Sequence, residues 1–246
     1  MSHVITTVLF DLDGTLLPMD QDVFVHAYFQ ELSAKLAPYG YDSKSLIKNI
    51  WTGVAGMIAN DGTYTNEEIF WSVFSKDYGD KVLKDKPIFD EFYKKEFQKV
   101  QGAVGFSSQA IHCIDVLKDN GMPMILATNP IFPQQATYSR IKWAGLEPSD
   151  FQWITTYENS HSCKPNLIYY KEILDKFNLD PATCLMVGND VSEDMVATKL
   201  GMPVFLIKNC LINKNKEDIS SIPQGDFRDL LRYLYKQYTE EVNGLK

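Results

Sequence analysis

The sequence predicts an α/β protein, a doubly wound parallel sheet interrupted by an all-helical insertion. Three observations carry this expectation. Short apolar runs recur along the chain, segments of helical periodicity separate them, and one long stretch holds helical patterns with no strand among them. Strands alternating with helices make βαβ units, which assemble into a parallel sheet covered on both faces.

Residues 4–10 form a continuous apolar, β-branched run ending on two carboxylates, the pattern of a buried strand. Equivalent runs cover residues 123–127, 151–155, 184–187 and 204–207. Ser107 or Ser108 is placed to cap a helix carrying Ala110, Ile111, Ile114, Val116 and Leu117, stopped by Gly121. The next helix covers residues 133–144 and ends at Gly145. Pro165 is placed to begin another, through Tyr169, Ile173, Leu174 and Phe177. A further helix is expected over residues 192–200, closed by Gly201. Residues 209–222 read as a polar loop, and Phe227, Leu230, Leu231 and Leu234 as the apolar stripe of a packed terminal helix. Neither carries a chemical signal.

The insertion covers about residues 19–102. Phe24, Ala27, Tyr28, Leu32 and Leu36 mark one helix, and Ile69, Phe70, Val73 and Phe74 a second. Phe89, Phe92, Tyr93 and Phe97 mark a third. Aromatic stripes at helical spacing are first of all the packing of a bundle. His26, Lys48, Asn49 and Asn60 are polar there, but pattern does not separate them from ordinary surface residues. The expected organisation is a core of residues 1–18 and 103–246 with a helical domain of residues 19–102.

At 246 residues and 45% hydrophobic content, the chain can bury a core without help from disulfides or a structural metal. Net charge is −8 with no long basic run, which argues against a nucleic-acid or anionic-membrane partner. No apolar run is long enough to cross a bilayer. Cys113, Cys163, Cys184 and Cys210 form no CxxC pair, so neither a disulfide framework nor a zinc site is indicated. Met1-Ser2-His3 leads straight into a strand without signal-peptide features, and a cytoplasmic location is expected.

Chemistry gathers where the predicted strands end. Asp11 and Asp13 close the first strand before Gly14 and Thr15, where ligands of open α/β sheets bind. Asp-Gly is also an ordinary turn. Two carboxylates brought together favour a cation between them, and the spacing suits an oxygen-ligated ion such as Mg²⁺. Thr128-Asn129-Pro130 follows another strand and offers a hydroxyl donor, or a plain turn. Lys164 stands just before a helix start, where its charge adds to the helix dipole to make an anion site. Alone it reads as a surface lysine. Its neighbours His161 and Cys163 have no third group to orient a dyad. Asn189, Asp190 and Asp194 follow the 184–187 strand; Asp190 and Asp194 read either as helix caps or as completing a cation shell and orienting Lys164. Together these groups supply a nucleophile candidate, metal-binding carboxylates, a hydroxyl donor and a lysine, the parts phosphoryl transfer needs.

This set resembles the haloacid dehalogenase superfamily, specifically its phosphatase-like members. The four motifs of that family are matched in order by Phe10-Asp11-Leu12-Asp13-Gly14-Thr15-Leu16-Leu17, by Leu126-Ala127-Thr128-Asn129, by Lys164-Pro165, and by Gly188-Asn189-Asp190 through Asp194. The resemblance implies a Rossmann-like core and a four-helix cap that closes over a small phosphorylated substrate. It implies Asp11 as nucleophile forming an aspartyl-phosphate, and Asp13 as general acid and then base. Thr128, Asn129 and Lys164 would hold the phosphoryl group. Mg²⁺ would be bound by Asp11, the Asp13 backbone carbonyl and Asp190. The chain departs from many relatives by carrying Asn189 directly after Gly188, where they have aspartate. Asn189 or Asp190 therefore takes that ligand position; Asp190 is favoured for its charge and its four-residue spacing to Asp194.

A Mg²⁺-dependent phosphomonoester hydrolase acting as a monomer or homodimer is the resulting expectation. The competing readings are a phosphosugar mutase, a dehalogenase, a phosphonate hydrolase and a non-catalytic binding protein on the same fold. Asp13 argues against the dehalogenase, which has no alkoxide to protonate. Phosphonate hydrolysis needs an imine-forming cap lysine, and none can be singled out.

Overall fold

A computed structural model describes residues 4–244. Six parallel strands form one sheet: β1 (Thr7–Phe10), β2 (Met124–Leu126), β3 (Trp153–Ile154), β4 (Cys184–Gly188), β5 (Val204–Ile207) and β6 (Gln224–Gly225). Their order is β3-β2-β1-β4-β5-β6. The chain reverses direction across the sheet between β1 and β4, the switch point where such sheets open a crevice beyond their carboxyl ends.

The predicted α/β class is the observed one. Alternating side chains of the central strands feed two cores, which is why the strands read as continuous apolar runs. Val8, Phe10, Leu185, Val187, Phe205 and Ile207 pack on one face. Leu9, Cys184, Met186, Val204 and Leu206 pack on the other. Each fully buried side chain of this kind contributes about 1.5–3 kcal/mol. The first face is covered by α5 (Ser108–Asp119), α6 (Gln134–Trp143) and α8 (Phe227–Gly244), the second by α7 (Leu167–Phe177).

Three local expectations are corrected. α7 starts at Leu167 rather than Pro165, because Asn166 caps it by accepting from the Ile168 N–H at 3.0 Å. The helix expected over 192–200 is a 3₁₀ helix, Met195–Leu200. Asp190 Oδ1 takes the N–H groups of Ser192 and Glu193, holding the preceding residues in a turn that the longer helix would have had to absorb. Gln224–Gly225, read from the sequence only as the lead-in to the terminal helix, adds a sixth strand beside β5.

The stretch from Gln21 to Ala103 is built of helices and the loops joining them. It comprises α1 (Gln21–Leu36), α2 (Ser43–Ile58), α3 (Asn66–Tyr78), α4 (Asp80–Lys94) and two 3₁₀ helices, Ala37–Tyr39 and Glu96–Ala103. The sequence marks only three of these; α2 was missed although Leu46, Ile50, Gly53 and Met57 are buried at helical spacing. Phe97, expected on α4, belongs to the second 3₁₀ helix. The two chain crossings lie side by side: Met19 pairs with Val104, and the Gly105 N–H donates to the Pro18 carbonyl at 2.7 Å.

The insertion is bolted to the core at the start of α3. Asn66 is fully buried, and its Nδ2 donates to the carbonyls of Pro130 at 3.2 Å and Ser162 at 3.1 Å. Backbone N–H groups of Asn66 and Glu67 donate to the carbonyls of Ser160 and Tyr157, both at 2.8 Å. Asn60, one of the polar residues singled out in the insertion, holds the Asn66 amide oxygen at 2.9 Å.

Candidate active site

The loops leaving β1, β2 and β4 converge at the carboxyl edge of the sheet around an open cleft of about 350 Å³. Asp11, Asp13, Thr128, Asn129, Asn189, Asp190 and Asp194 all line it. Lys164 does not. It is fully buried behind the wall, where Nζ donates to Asp11 Oδ1 at 3.0 Å and Asp194 Oδ1 at 2.6 Å. Burial opposes its charge, but the carboxylates of Asp11 and Asp194 outweigh burial and hold the ammonium protonated well above the usual lysine range. Burial also lifts Asp194, which leans on Gly188 so closely that a Cβ there would come within 2.0 Å of its Oδ2. Asp194 Oδ2 in turn accepts the Asp190 N–H at 2.9 Å.

Asp13 has a partner that sequence reading missed. Arg140 on α6 is fully buried and donates through Nη1 to Asp13 Oδ2, while its guanidinium lies 4.5 Å over the Phe132 ring. Burial raises the Asp13 carboxyl above the ordinary aspartate range; Arg140 opposes the shift and Asp11 adds to it. Asp13 Oδ1 is buried with no hydrogen-bond partner.

Residues 8–207 match the haloacid dehalogenase-like hydrolases. The chain belongs to this family. Pyrophosphatase PpaX of Bacillus pumilus (strain SAFR-032) is 25% identical over 191 residues, 77% of this chain and 76% of that protein. A haloacid dehalogenase-superfamily phosphatase from Thermococcus onnurineus superposes with a TM-score of 0.57 at 18% identity, over 94% of this chain and 98% of that one. The hydrolase YfnB from Bacillus subtilis, described as bound to magnesium and as revealing interdomain movement, gives 0.56 at 18% identity over 95% and 100%. At these identities the two structures speak for the shared fold.

In this haloacid dehalogenase-like site, oxygen acceptors outnumber the protons that serve them. Thr15 Oγ1 lies 3.0 Å from both Asp11 Oδ2 and Asn189 Oδ1, and one hydroxyl proton cannot serve both. Asn189 cannot turn its amide to relieve this, because Nδ2 is committed to the Cys210 carbonyl at 2.6 Å. Gly14, at φ 85°, leaves the room Asn189 occupies: a Cβ there would meet Nδ2 at 2.4 Å. Among the described residues no three His, Cys, Asp or Glu side chains form a ready-made metal cage. Mg²⁺ asks for less, one or two carboxylates with carbonyls and water, so the donor set fits it.

Thr128 is held by its carbonyl, which accepts from Thr155 Oγ1 at 2.6 Å and the Tyr169 hydroxyl at 2.9 Å. Asn129 Nδ2 donates to Glu193 Oε2 at 3.0 Å, and burial pushes Glu193 up to about 7. Glu193 was missed because it sits inside an acidic run already accounted for by Asp190 and Asp194. The 209–222 loop, read as chemically silent, straps the site: the Ile212 N–H donates to the Asn189 carbonyl at 2.9 Å, and Lys214 lines the cleft. His26, Lys48, Asn49 and Asn60 do not line it. His161 pairs with Glu172 at 2.7 Å, and buried Cys163 has its thiol pushed up to about 12, as far from a dyad as the sequence suggested. Among the described residues no helix is long and apolar enough to cross a membrane.

Proposed function

We propose that the chain is a Mg²⁺-dependent phosphomonoester hydrolase working through an aspartyl-phosphate on Asp11. The observation that carries this reading is the Lys164 ammonium buried behind the wall of the crevice and clamped between Asp11 and Asp194. A carboxylate held beside a fixed cation can approach a phosphate dianion without prohibitive repulsion. Asp11, the Asp13 carbonyl and Asp190 are the groups that would hold Mg²⁺, with Asn189 ordering Asp11 through Thr15. The ion, when bound, neutralises phosphate charge and polarises the phosphoryl group.

In the first step an Asp11 oxygen bonds to phosphorus and the ester P–O bond breaks. The leaving oxygen takes the proton of Asp13. In the second step water attacks the same phosphorus, Asp13 takes back a proton, and the acyl-phosphate bond breaks to restore Asp11. Arg140 pins Asp13 by Oδ2, which leaves the partnerless Oδ1 to carry that proton. Burial of Asp13 keeps a proton available closer to neutral pH than a free aspartate would. The Thr128 hydroxyl and the Asn129 amide bind phosphoryl oxygens. Lys164 acts on Asp11 first, with a third N–H to give to the phosphoryl group. The helical insertion is the cap that excludes water.

The test is phosphate release from acetyl phosphate and ethyl phosphate, with Mg²⁺ and with chelator, by the wild type and Asp11→Asn. We expect Mg²⁺-dependent release that Asp11→Asn lowers by at least about 10³-fold while remaining folded. Unchanged turnover in Asp11→Asn would contradict the mechanism.

A further inference from the structure

We propose that the substrate's leaving group is an apolar, planar aromatic moiety, seated in a chamber between the helical insertion and the core. The inference rests on the phosphatase reading of Asp11 and names the class of ester it acts on. Beside the carboxylate cleft lies a second, narrow pocket of about 80 Å³, walled by Tyr28, Phe29, Phe70, Trp71, Phe89 and Tyr157, with Asp90 as the one carboxylate in its lining. The two adjoin: Val25, Trp51, Val54, Ile131 and Phe132 line both. An ester with its phosphorus at Asp11 therefore has its organic half directed past these residues into the aromatic walls.

The insertion's own contribution to the carboxylate cleft has the same character. Phe24, Val25, Trp51, Val54 and Ile58 face it, and among the described residues Gln21 and the Trp51 indole N–H are the hydrogen-bonding groups that α1 and α2 supply. A sugar or a hydroxy acid would lose its water hydrogen bonds there and gain few in return. Trp51 and Ile58 are each 47% exposed, apolar surface left in water at the mouth of a polar cleft. Such surface is stabilised when a ligand covers it.

The chamber also keeps donors in reserve. Tyr28 and Tyr93 hold their hydroxyls 2.8 Å apart, a bond that uses one of their two protons. The Trp71 indole N–H, in a side chain more than nine-tenths buried, has no acceptor at full hydrogen-bonding geometry and only leans toward the Tyr157 hydroxyl. A heteroatom on an aromatic ring would serve it.

The experiment compares 2-phenylethyl phosphate with ethyl phosphate, primary alkyl esters of similar leaving-group basicity. In wild-type enzyme with Mg²⁺ we expect kcat/KM to favour the aromatic ester by about 10- to 100-fold, the value of burying one ring. Trp51→Ala should pull that ratio toward one. The same preference should appear in the Kd values of the two esters for Asp11→Asn, measured by calorimetry. Turnover of both esters with a ratio near one overturns the chamber and leaves the phosphatase intact. Turnover of neither, with tighter binding of the aromatic ester, overturns the phosphatase and leaves the chamber. A wild-type ratio that Trp51→Ala does not change also overturns it.

Discussion

Two surfaces face each other across one cleft, and they are built from opposite materials. The carboxyl edge of the sheet presents Asp11, Asp13, Asn189 and Asp190, backed by a buried lysine and a buried arginine. The helical insertion presents tryptophan, phenylalanine, valine and isoleucine. The first surface is held by ion pairs and directional hydrogen bonds, where displacing one group leaves a buried charge uncompensated. The second is held by edge-to-face ring contacts such as Tyr28–Phe132 at 5.5 Å and Trp71–Phe89 at 5.4 Å, which tolerate repacking. On the function proposed above, the difference separates reaction from recognition: the edge would act on phosphorus, and the insertion would select the ester.

Breaking the edge should cost most. Lys164→Met leaves Asp11 and Asp194 facing each other without their cation. We expect turnover to fall about 10³-fold and stability by about 3–5 kcal/mol in chelator, read by chemical denaturation. Adding Asp194→Asn should restore much of the stability and little of the turnover. Recovery of both together would mean that Lys164 serves only the fold.

Arg140 sharpens the comparison, because it reaches the edge from a helix and stacks on Phe132, a residue shared with the aromatic chamber. Arg140→Lys should lower kcat on ethyl phosphate about 10- to 100-fold, since a lysine cannot reproduce the planar guanidinium contacts. The loss should be smaller on acetyl phosphate, whose leaving group needs no proton. Equal losses on both would remove Asp13 protonation as the function Arg140 supports.

Much of this edge was legible in the sequence and much of the rest was not, for a physical reason. Asp11 and Thr128 stand directly after apolar runs and Asp190 three residues after one, and period and burial place strand ends without tertiary information. Lys164 was placed beside Asp11 only through the family resemblance, and Arg140 not at all. An arginine on an amphipathic helix reads as surface, and its burial depends on Phe132 and Asp13 arriving from elsewhere in the chain. Asn66 was lost similarly: beside the Thr65 cap it looks like an ordinary helix start, and its core partners are more than sixty residues away. The aromatic stripes of the insertion were read as packing, which most of them are. Which rings leave a gap between them is a property of the assembled bundle.

Smaller effects follow. Asn66→Ala should lower stability by about 1–3 kcal/mol by stranding the Pro130 and Ser162 carbonyls, with kcat on ethyl phosphate nearly unchanged. A large fall in kcat instead would show that the bolt shapes the site. Glu193 should give the mildest signal. Burial raises its folded pKa to about 7, above the value in the unfolded chain, so its contribution is present below the unfolded pKa and is lost as pH rises toward 7. In chelator, the wild-type unfolding midpoint should fall between about pH 5 and 8 more steeply than that of Glu193→Gln. Parallel curves would mean that Glu193 titrates alike in both states.

The central claim is that phosphorus is transferred to Asp11 before water receives it. Acid-quenching the enzyme during turnover of acetyl phosphate, reducing with borohydride and mapping peptides reads this directly, because an acyl-phosphate is reduced to an alcohol and a free carboxylate is not. Conversion confined to position 11 and dependent on Mg²⁺ is the predicted result. Steady phosphate release with position 11 unconverted, or conversion at another carboxylate, would contradict it.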